Sequence, residues 1–460
     1  MSGRKNQIER VTVTDINPDG NGVGRAKDGM VVFIPLAAPG DTVDVRIIKE
    51  TSDCLIGRLE AIVTPSACRI EPACPVYARC GSCTFLHLSE SFENQKKREL
   101  VQSAFSRIAK LQVEVEETRS FSMSRYRNKV VYPLTEQNGM PVFGYYARHS
   151  HSLIPHEDCP LQDARFSEIA ARFCEEIRRL HIPVWNDSAK AGVLRYLSLR
   201  KNRSGMFSLL FVASRRFREE GDLAERMMNA FPFIQGVSIN INKAADNVIL
   251  GDETVSLAGS PVLEDILCGK RFSISPAAFY QINADCAEAM YRTASDLLGL
   301  ESGDVLMDLY CGSGTIGLSV IQPGQKLIGV EIVPDSIRDA AANAKMNGRD
   351  TGDTVMLLGD ASAGFKLCET RFGKPDAIVV DPPRKGLSDD VIAQILHSGC
   401  EKVVYISCNP VSLAKDCARL CGEAYRIQKV IPFNMFPRTG HVETVVLMIR
   451  QKTDRTVLKL

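Results

Sequence analysis

This 460-residue chain has no stretch approaching the ~20 consecutive apolar residues that a membrane span requires. Met1 to Arg10 is polar where a secretory signal would have an apolar core, so the cytoplasm is the expected location, with no membrane partner. Charge of one sign is missing too. Residues 1–270 hold 35 Lys+Arg against 33 Asp+Glu, and residues 271–460 hold 21 against 22, net charges of +2 and −1. That balance excludes a polybasic nucleic-acid binder, and any contact with RNA or DNA must rest on local patches. There is no internal repeat and no low-complexity tract.

What is present suits a soluble multidomain protein. The length allows roughly three domains, and 45% hydrophobic content is ample for packed cores. Fifteen cysteines in a reducing compartment point to thiols and metal or cluster ligands rather than disulfides. Residues 1–64 read as a small β-barrel. Val11 to Ile16, Gly29 to Ile34, Thr42 to Lys49 and Cys54 to Val63 are strand-like, with Gly-rich turns between them. Val43, Val45 and Ile47 should face inward, and Asp44 and Arg46 water.

A cysteine cluster follows, Cys74-x5-Cys80-x2-Cys83, in a loop of turn-forming residues. Cys-x2-Cys lets two thiolates reach one metal centre, and a third can wrap round it. A fourth ligand is needed, for which Cys159 and Cys68 compete, and four thiolates suit either zinc or a cubane cluster. His87 reads as a packed histidine. Residues 65–269 mix helical patterns, at 93–109 and 166–181, with strands, so an α+β domain with an antiparallel sheet is expected. Arg125-Tyr126-Arg127-Asn128-Lys129 interleaves cations with an aromatic, as an RNA-contacting surface would. Lys96-Lys97-Arg98 reads as a solvated helix face.

Residues 270–460 alternate strand and helix as in a doubly wound, Rossmann-like parallel sheet, whose ligands bind at the carboxyl edge. The first turn, Asp308-Leu-Tyr310-Cys-Gly312-Ser-Gly314-Thr-Ile-Gly317, lets a ligand approach the backbone, and Glu331 closes the next strand, where a carboxylate binds ribose hydroxyls. Read alone, this turn also fits a nicotinamide-dependent oxidoreductase. Two later strand ends argue against that class: Asp381-Pro-Pro-Arg384, and Cys408 in Ser-Cys-Asn-Pro after the apolar run Val403 to Ile406. A methyltransferase acting on a base that is a poor nucleophile needs a rigid acidic loop and a covalent activator.

Taken with Phe279-Tyr-Gln281-Ile-Asn283 and His441-Val-Glu443-Thr444, this ordered set resembles bacterial RNA uracil-5-methyltransferases that carry a TRAM domain and a [4Fe-4S] cluster. The words Gly22-Val-Gly-Arg25 and Val32-Phe-Ile-Pro35 resemble the TRAM domain, an OB-like barrel, with Phe33 and Arg25 as RNA-contacting candidates. The resemblance implies catalysis by Cys408 and Glu443. It implies an S-adenosylmethionine site at Gln281, Tyr310, Gly312, Glu331 and Asp381, with Asp360 near the adenine. It also implies a [4Fe-4S] cluster on Cys74, Cys80, Cys83 and Cys159. The expected substrate is 23S ribosomal RNA, or its precursor, acted on by a monomer. Methylation of transfer RNA is the alternative, and an RNA-binding module without catalysis would leave the cofactor loop and thiol idle.

Overall fold

The computed structural model describes residues 4–244 and 248–451. The chain opens as a closed barrel of β1 (Ile8–Ile16), β2 (Asn21–Arg25), β3 (Val31–Pro35), β4 (Thr42–Glu50) and β5 (Cys54–Thr64), in the order β1-β2-β3-β5-β4. Val43, Val45 and Ile47 are fully buried inside it, while Asp44 and Arg46 form outward ion pairs with Arg10 and Glu60. Strand β2 is one that glycine content disguises as a turn. A Cβ on Gly24 would lie 2.4 Å from Val11 Cγ1, so the residue is small because β1 and β2 approach closely.

Helix α1 (Glu90–Ser103) is capped by Ser89, whose side chain accepts from the Phe92 amide, and runs into a π-turn at Ala104–Ile108. Of the expected solvated cations on it, Arg98 is exposed but Lys96 and Lys97 are buried. Lys97 is completely buried, ion-paired with Glu93 at 2.9 Å and donating to Asn434 and the Phe436 carbonyl; Lys96 pairs with Asp15 of the barrel, and Arg98 donates to the Val115 carbonyl. The helix is packed between other elements, so its polar residues must find partners there.

The middle of the chain forms a seven-stranded sheet from β6 (Lys129–Gln137), β7 (Met140–Tyr146), β8 (Leu153–Pro155), β9 (Leu194–Lys201), β10 (Phe207–Ala213), β11 (Ile234–Ile241) and β12 (Glu253–Gly259), in the order β12-β11-β10-β9-β6-β7-β8. Helices α2 (Ala164–Arg179) and α3 (Glu220–Ala230) contribute Phe166, Ile169, Phe173, Leu223 and Met227 to its core. The sheet is not wholly antiparallel as expected. Strands β10 and β11 run parallel because α3 carries the chain back between them. The supposed RNA patch is also revised. Tyr126 and Asn128 are buried, with Tyr126 donating to the Pro437 carbonyl and Asn128 to that of Gln281; Arg125 alone is well exposed, paired with Asp158.

After the hairpin β13 (Leu263–Leu267) and β14 (Lys270–Ile274), helix α4 (Ala284–Leu298) leads into the last sheet. Its elements are β15 (Val305–Leu309), α5 (Thr315–Val320), β16 (Lys326–Glu331), α6 (Pro334–Met346), β17 (Thr354–Leu358), α7 (Ala361–Arg371), β18 (Ala377–Val380), α8 (Asp389–Ser398), β19 (Lys402–Ser407), α9 (Pro410–Glu423), β20 (Tyr425–Phe433) and β21 (Glu443–Arg450). The strand order is β17-β16-β15-β18-β19-β21-β20, parallel from β17 to β19 and antiparallel across β21. Order reverses between β15 and β18, the switch point at which such sheets bind ligands. Among the described residues no helix is long and apolar enough to cross a membrane.

Candidate functional site

Two strand directions bring the expected catalytic residues together. Strands β18 and β19 are parallel, so Asp381 and Cys408, each just past its strand, emerge on the same edge. Strand β21 runs the other way with Thr444 opposite Ser407, so Glu443 enters where Cys408 leaves. Cys408 is half-buried and Glu443 is 4% exposed. Burial first, then the charges of Glu443 and Asp381, pushes the Cys408 thiol up to about 11, while the Arg384 guanidinium opposes the shift. Burial also raises both carboxyls, and Asp381 raises Glu443 further. The loop carrying Asp381 is tied to the loop carrying Cys408, because Asn409 Nδ2 donates to the Arg384 carbonyl at 2.8 Å and Ser412 Oγ to the same oxygen at 3.1 Å.

Next to this edge lies the glycine turn. Tyr310, Gly312 and Gly314 take φ values of 67°, 55° and 79°, left-handed angles that favour glycine and are unusual for a tyrosine. A Cβ on Gly312 would meet nothing within 4 Å, so the turn is open on that side. A Cβ on Gly317 would lie 2.8 Å from Asp308 Oδ2, the oxygen that accepts the Gly317 amide. The other oxygen, Oδ1, is buried with no partner, and burial pushes the Asp308 carboxyl up to about 8. Glu331 is fixed by the amides of Gly312, Ile332 and Val333. Asp360, just past β17, is exposed and caps α7 through the Ala363 amide, next to Gly359, whose amide donates to the Glu331 carbonyl at 3.0 Å. Gln281 is 7% exposed, and the fully buried Tyr291 of α4 feels the Asp381 charge. Tyr291 escaped the sequence reading because a tyrosine on the apolar face of a helix looks like core.

Cys74, Cys80, Cys83 and Cys159 line one small cavity of about 20 Å³, beside Tyr77, Arg127 and His156. Cys68 lies elsewhere, donating to the Pro39 carbonyl at 3.4 Å. Among the described residues no three Cys, His, Asp or Glu side chains are gathered to hold a metal ion. One tetrahedral ion would need thiolates about 3.7 Å apart, from Zn–S bonds of ~2.3 Å. The donors nevertheless suit a larger soft group. All four are sulfur, Arg127 offsets thiolate charge at Cys83 and Cys159, and both buried nitrogens of His156 on the cavity wall lack partners. His87 lies outside, with Tyr77 Oη 2.6 Å from its Nδ1.

This is the architecture of a doubly wound α/β domain, with a ligand-binding sheet edge, joined to an N-terminal barrel. Residues 91–451 match the tRNA (uracil-5-)-methyltransferase family and residues 4–59 match the TRAM domain, so the chain belongs to that family and carries that domain. It is 35% identical over 449 residues to an uncharacterized RNA methyltransferase of Staphylococcus aureus (strain N315), covering 96% of this chain and 98% of that protein. An uncharacterized RNA methyltransferase of Clostridium tetani is 33% identical over 448 residues, with 97% of each covered. In fold, the chain is similar to the tRNA (uracil-54, C5)-methyltransferase of Pyrococcus abyssi, solved with S-adenosyl-L-homocysteine. The TM-score is 0.76 at 24% identity, over 96% of this chain and 100% of that one.

Proposed function

We propose that the protein transfers the methyl group of S-adenosylmethionine to carbon 5 of a uridine in RNA, through a covalent bond between Cys408 and carbon 6 of the base. The observation that carries this reading is the meeting of Cys408, Glu443 and Asp381 at one sheet edge beside the open glycine turn. Carbon 5 of uracil is a poor nucleophile, and addition of a thiolate at carbon 6 makes it enolate-like. Cys408 supplies that thiolate once its thiol proton has passed to the solvent that reaches this half-buried residue. Glu443 then takes the carbon 5 proton, and its raised pKa makes it a stronger base than a free carboxylate. Removal of that proton lets the Cys408 bond break. The target base must leave its stack to reach Cys408, and Phe279, 74% exposed, is an aromatic surface available to hold it.

Gln281, Tyr310, Gly312, Glu331 and Asp381 would hold the methyl donor, with Asp360 toward its adenine, and the donor when bound supplies an electrophilic methyl. Cys74, Cys80, Cys83 and Cys159 would hold a [4Fe-4S] cluster. Their part is structural, because no step above moves electrons.

Two RNA classes are in view. The family description and the Pyrococcus abyssi protein's name both give transfer RNA, and this supports transfer RNA here. The 23S ribosomal reading rests on the resemblance, through the barrel and the four cysteines. Yet a protein named for transfer RNA shares the fold over 96% of this chain, a span too long to omit the barrel. The barrel therefore does not separate the two. Mapping 5-methyluridine in all RNAs of a deletion strain tests the proposal: loss from one class assigns the substrate, and unchanged methylation everywhere refutes it.

A further inference from the structure

Helices α2 and α3 pack against the central sheet, and beyond their core a cleft of about 850 Å³ opens along β6, β7 and β9. Tyr146 and Tyr196, both half-exposed, approach one another there across β6. Three cations line the cleft, Arg148, Lys190 and Arg195, against one carboxylate, Asp187, already engaged by the Trp185 indole N–H at 2.9 Å. His149 and His151 stand exposed at the lip. Arg195 is held rigidly, lying 5.2 Å from the Trp185 ring and 5.9 Å from that of Tyr196 while donating to the Asn242 and Ala244 carbonyls. Interleaved flat rings and fixed cations are the surface on which unpaired bases stack and phosphates rest. The cleft also borders the thiol cavity, which the chain ties to the catalytic half. Ser82 and Tyr145 line both it and the thiol cavity, and the amides of Thr84 and Phe85 donate to the carbonyl of Arg438, five residues before Glu443.

We propose that this cleft docks a single-stranded segment of the same RNA that carries the target uridine, with bases stacked on Tyr146 and Tyr196 and the backbone neutralised by Lys190 and Arg148. The proposal rests on the RNA reading above and names the part of the fold that grips the strand outside the reaction centre. The positive excess commits the cleft to a polyanion, and the two partly exposed tyrosine rings commit it to one whose bases are free to stack.

The chain supplies its own reporter. Trp185, the single tryptophan, contacts two lining residues of the cleft, Arg195 and Asp187, so a base stacked beside Arg195 should quench its fluorescence. The assay titrates full-length Cys408→Ala protein with a short single-stranded oligouridine, so that binding is not followed by chemistry. Saturable quenching is expected. Tyr196→Ala should weaken binding about tenfold. Lys190→Glu, on the exposed lip where folding is not at stake, should weaken it similarly and lower the salt slope by about one. Binding seen by filter retention without quenching, or unaltered affinity in Lys190→Glu, overturns the proposal. A concentration-dependent fluorescence change without RNA overturns it too, since a second copy of the chain would then fill the cleft. Quenching by RNA from a protein that methylates no RNA refutes the proposed function and leaves the cleft standing, whereas methylation with unaltered cleft variants does the reverse.

Discussion

Replacing Glu443 by glutamine removes the proposed base while keeping the shape of a side chain that is 4% exposed at the start of β21. Two effects follow, and they push in opposite directions. Glu443 is one of the charges holding the Cys408 thiol up near 11, so its neutralisation makes the thiolate easier to form and addition to carbon 6 no slower. Release of product, by contrast, loses its general base, a loss of ~10² to 10⁴-fold. At ~1.4 kcal/mol per tenfold, that is about 3 to 5 kcal/mol on the release step. Glu443→Gln should therefore accumulate a covalent, methylated RNA adduct, retained on a denaturing gel and decaying at least ~10²-fold more slowly than in the parent. Wild-type turnover by Glu443→Gln would remove the carboxylate from the mechanism. Failure to form any adduct, with binding intact, would show that it acts before methyl transfer.

Further outcomes follow from the same geometry. Protein prepared without oxygen should contain iron and acid-labile sulfide, and alanine at Cys74, Cys80, Cys83 or Cys159 should lose both while Cys68→Ala keeps them; stoichiometric zinc without sulfide would refute the cluster. Alkylation of Cys408, followed by peptide mass spectrometry, should rise about tenfold per pH unit from pH 7 toward 10, because its thiol titrates near 11, and a plateau below pH 9 would contradict this. His87 is buried and held near 4 by desolvation against an ordinary 6.5. Its folded-state pKa is depressed, so the stability it contributes is complete above pH 6.5 and is lost as pH falls toward 4; His87→Gln should flatten that part of a urea-stability profile. Glu93→Ala leaves Lys97 buried without its carboxylate and should cost ~3 to 5 kcal/mol in chemical denaturation.

The parallel half was legible because its apolar runs and strand-end residues follow rules local to a few positions, and Asp381 and Cys408 could be placed on one edge before any coordinates. Glu443 required more, since only the antiparallel register of β21 carries it to Cys408 from 35 residues further along. Strand β2 was hidden because Gly24 answers to Val11 and Gly22 to Ala37 and Val13, constraints invisible within Asn21–Arg25. The cationic runs misled for one reason. Lys97 and the residues beside Arg127 look solvated by composition, yet they are buried between elements distant in sequence, and their partners Asn434 and Pro437 lie more than 300 positions away. The cleft around Tyr146 and Tyr196 went unseen because the two tyrosines sit on strands β7 and β9, which only the sheet order brings to either side of β6, and about fifty residues separate them in the chain.

The central claim is a bond between Cys408 and a uridine, and RNA carrying 5-fluorouridine tests it most directly. Fluorine at carbon 5 cannot leave as a proton does, so Glu443 has nothing to abstract and the wild-type adduct cannot collapse. Incubated with S-adenosylmethionine and substituted transfer RNA and 23S ribosomal RNA, the wild-type protein should form a denaturant-stable complex with its substrate. Digestion should yield a peptide bearing a methylated fluorouridine nucleotide on Cys408. No complex with either RNA, or an identical complex formed by Cys408→Ala, would contradict the account.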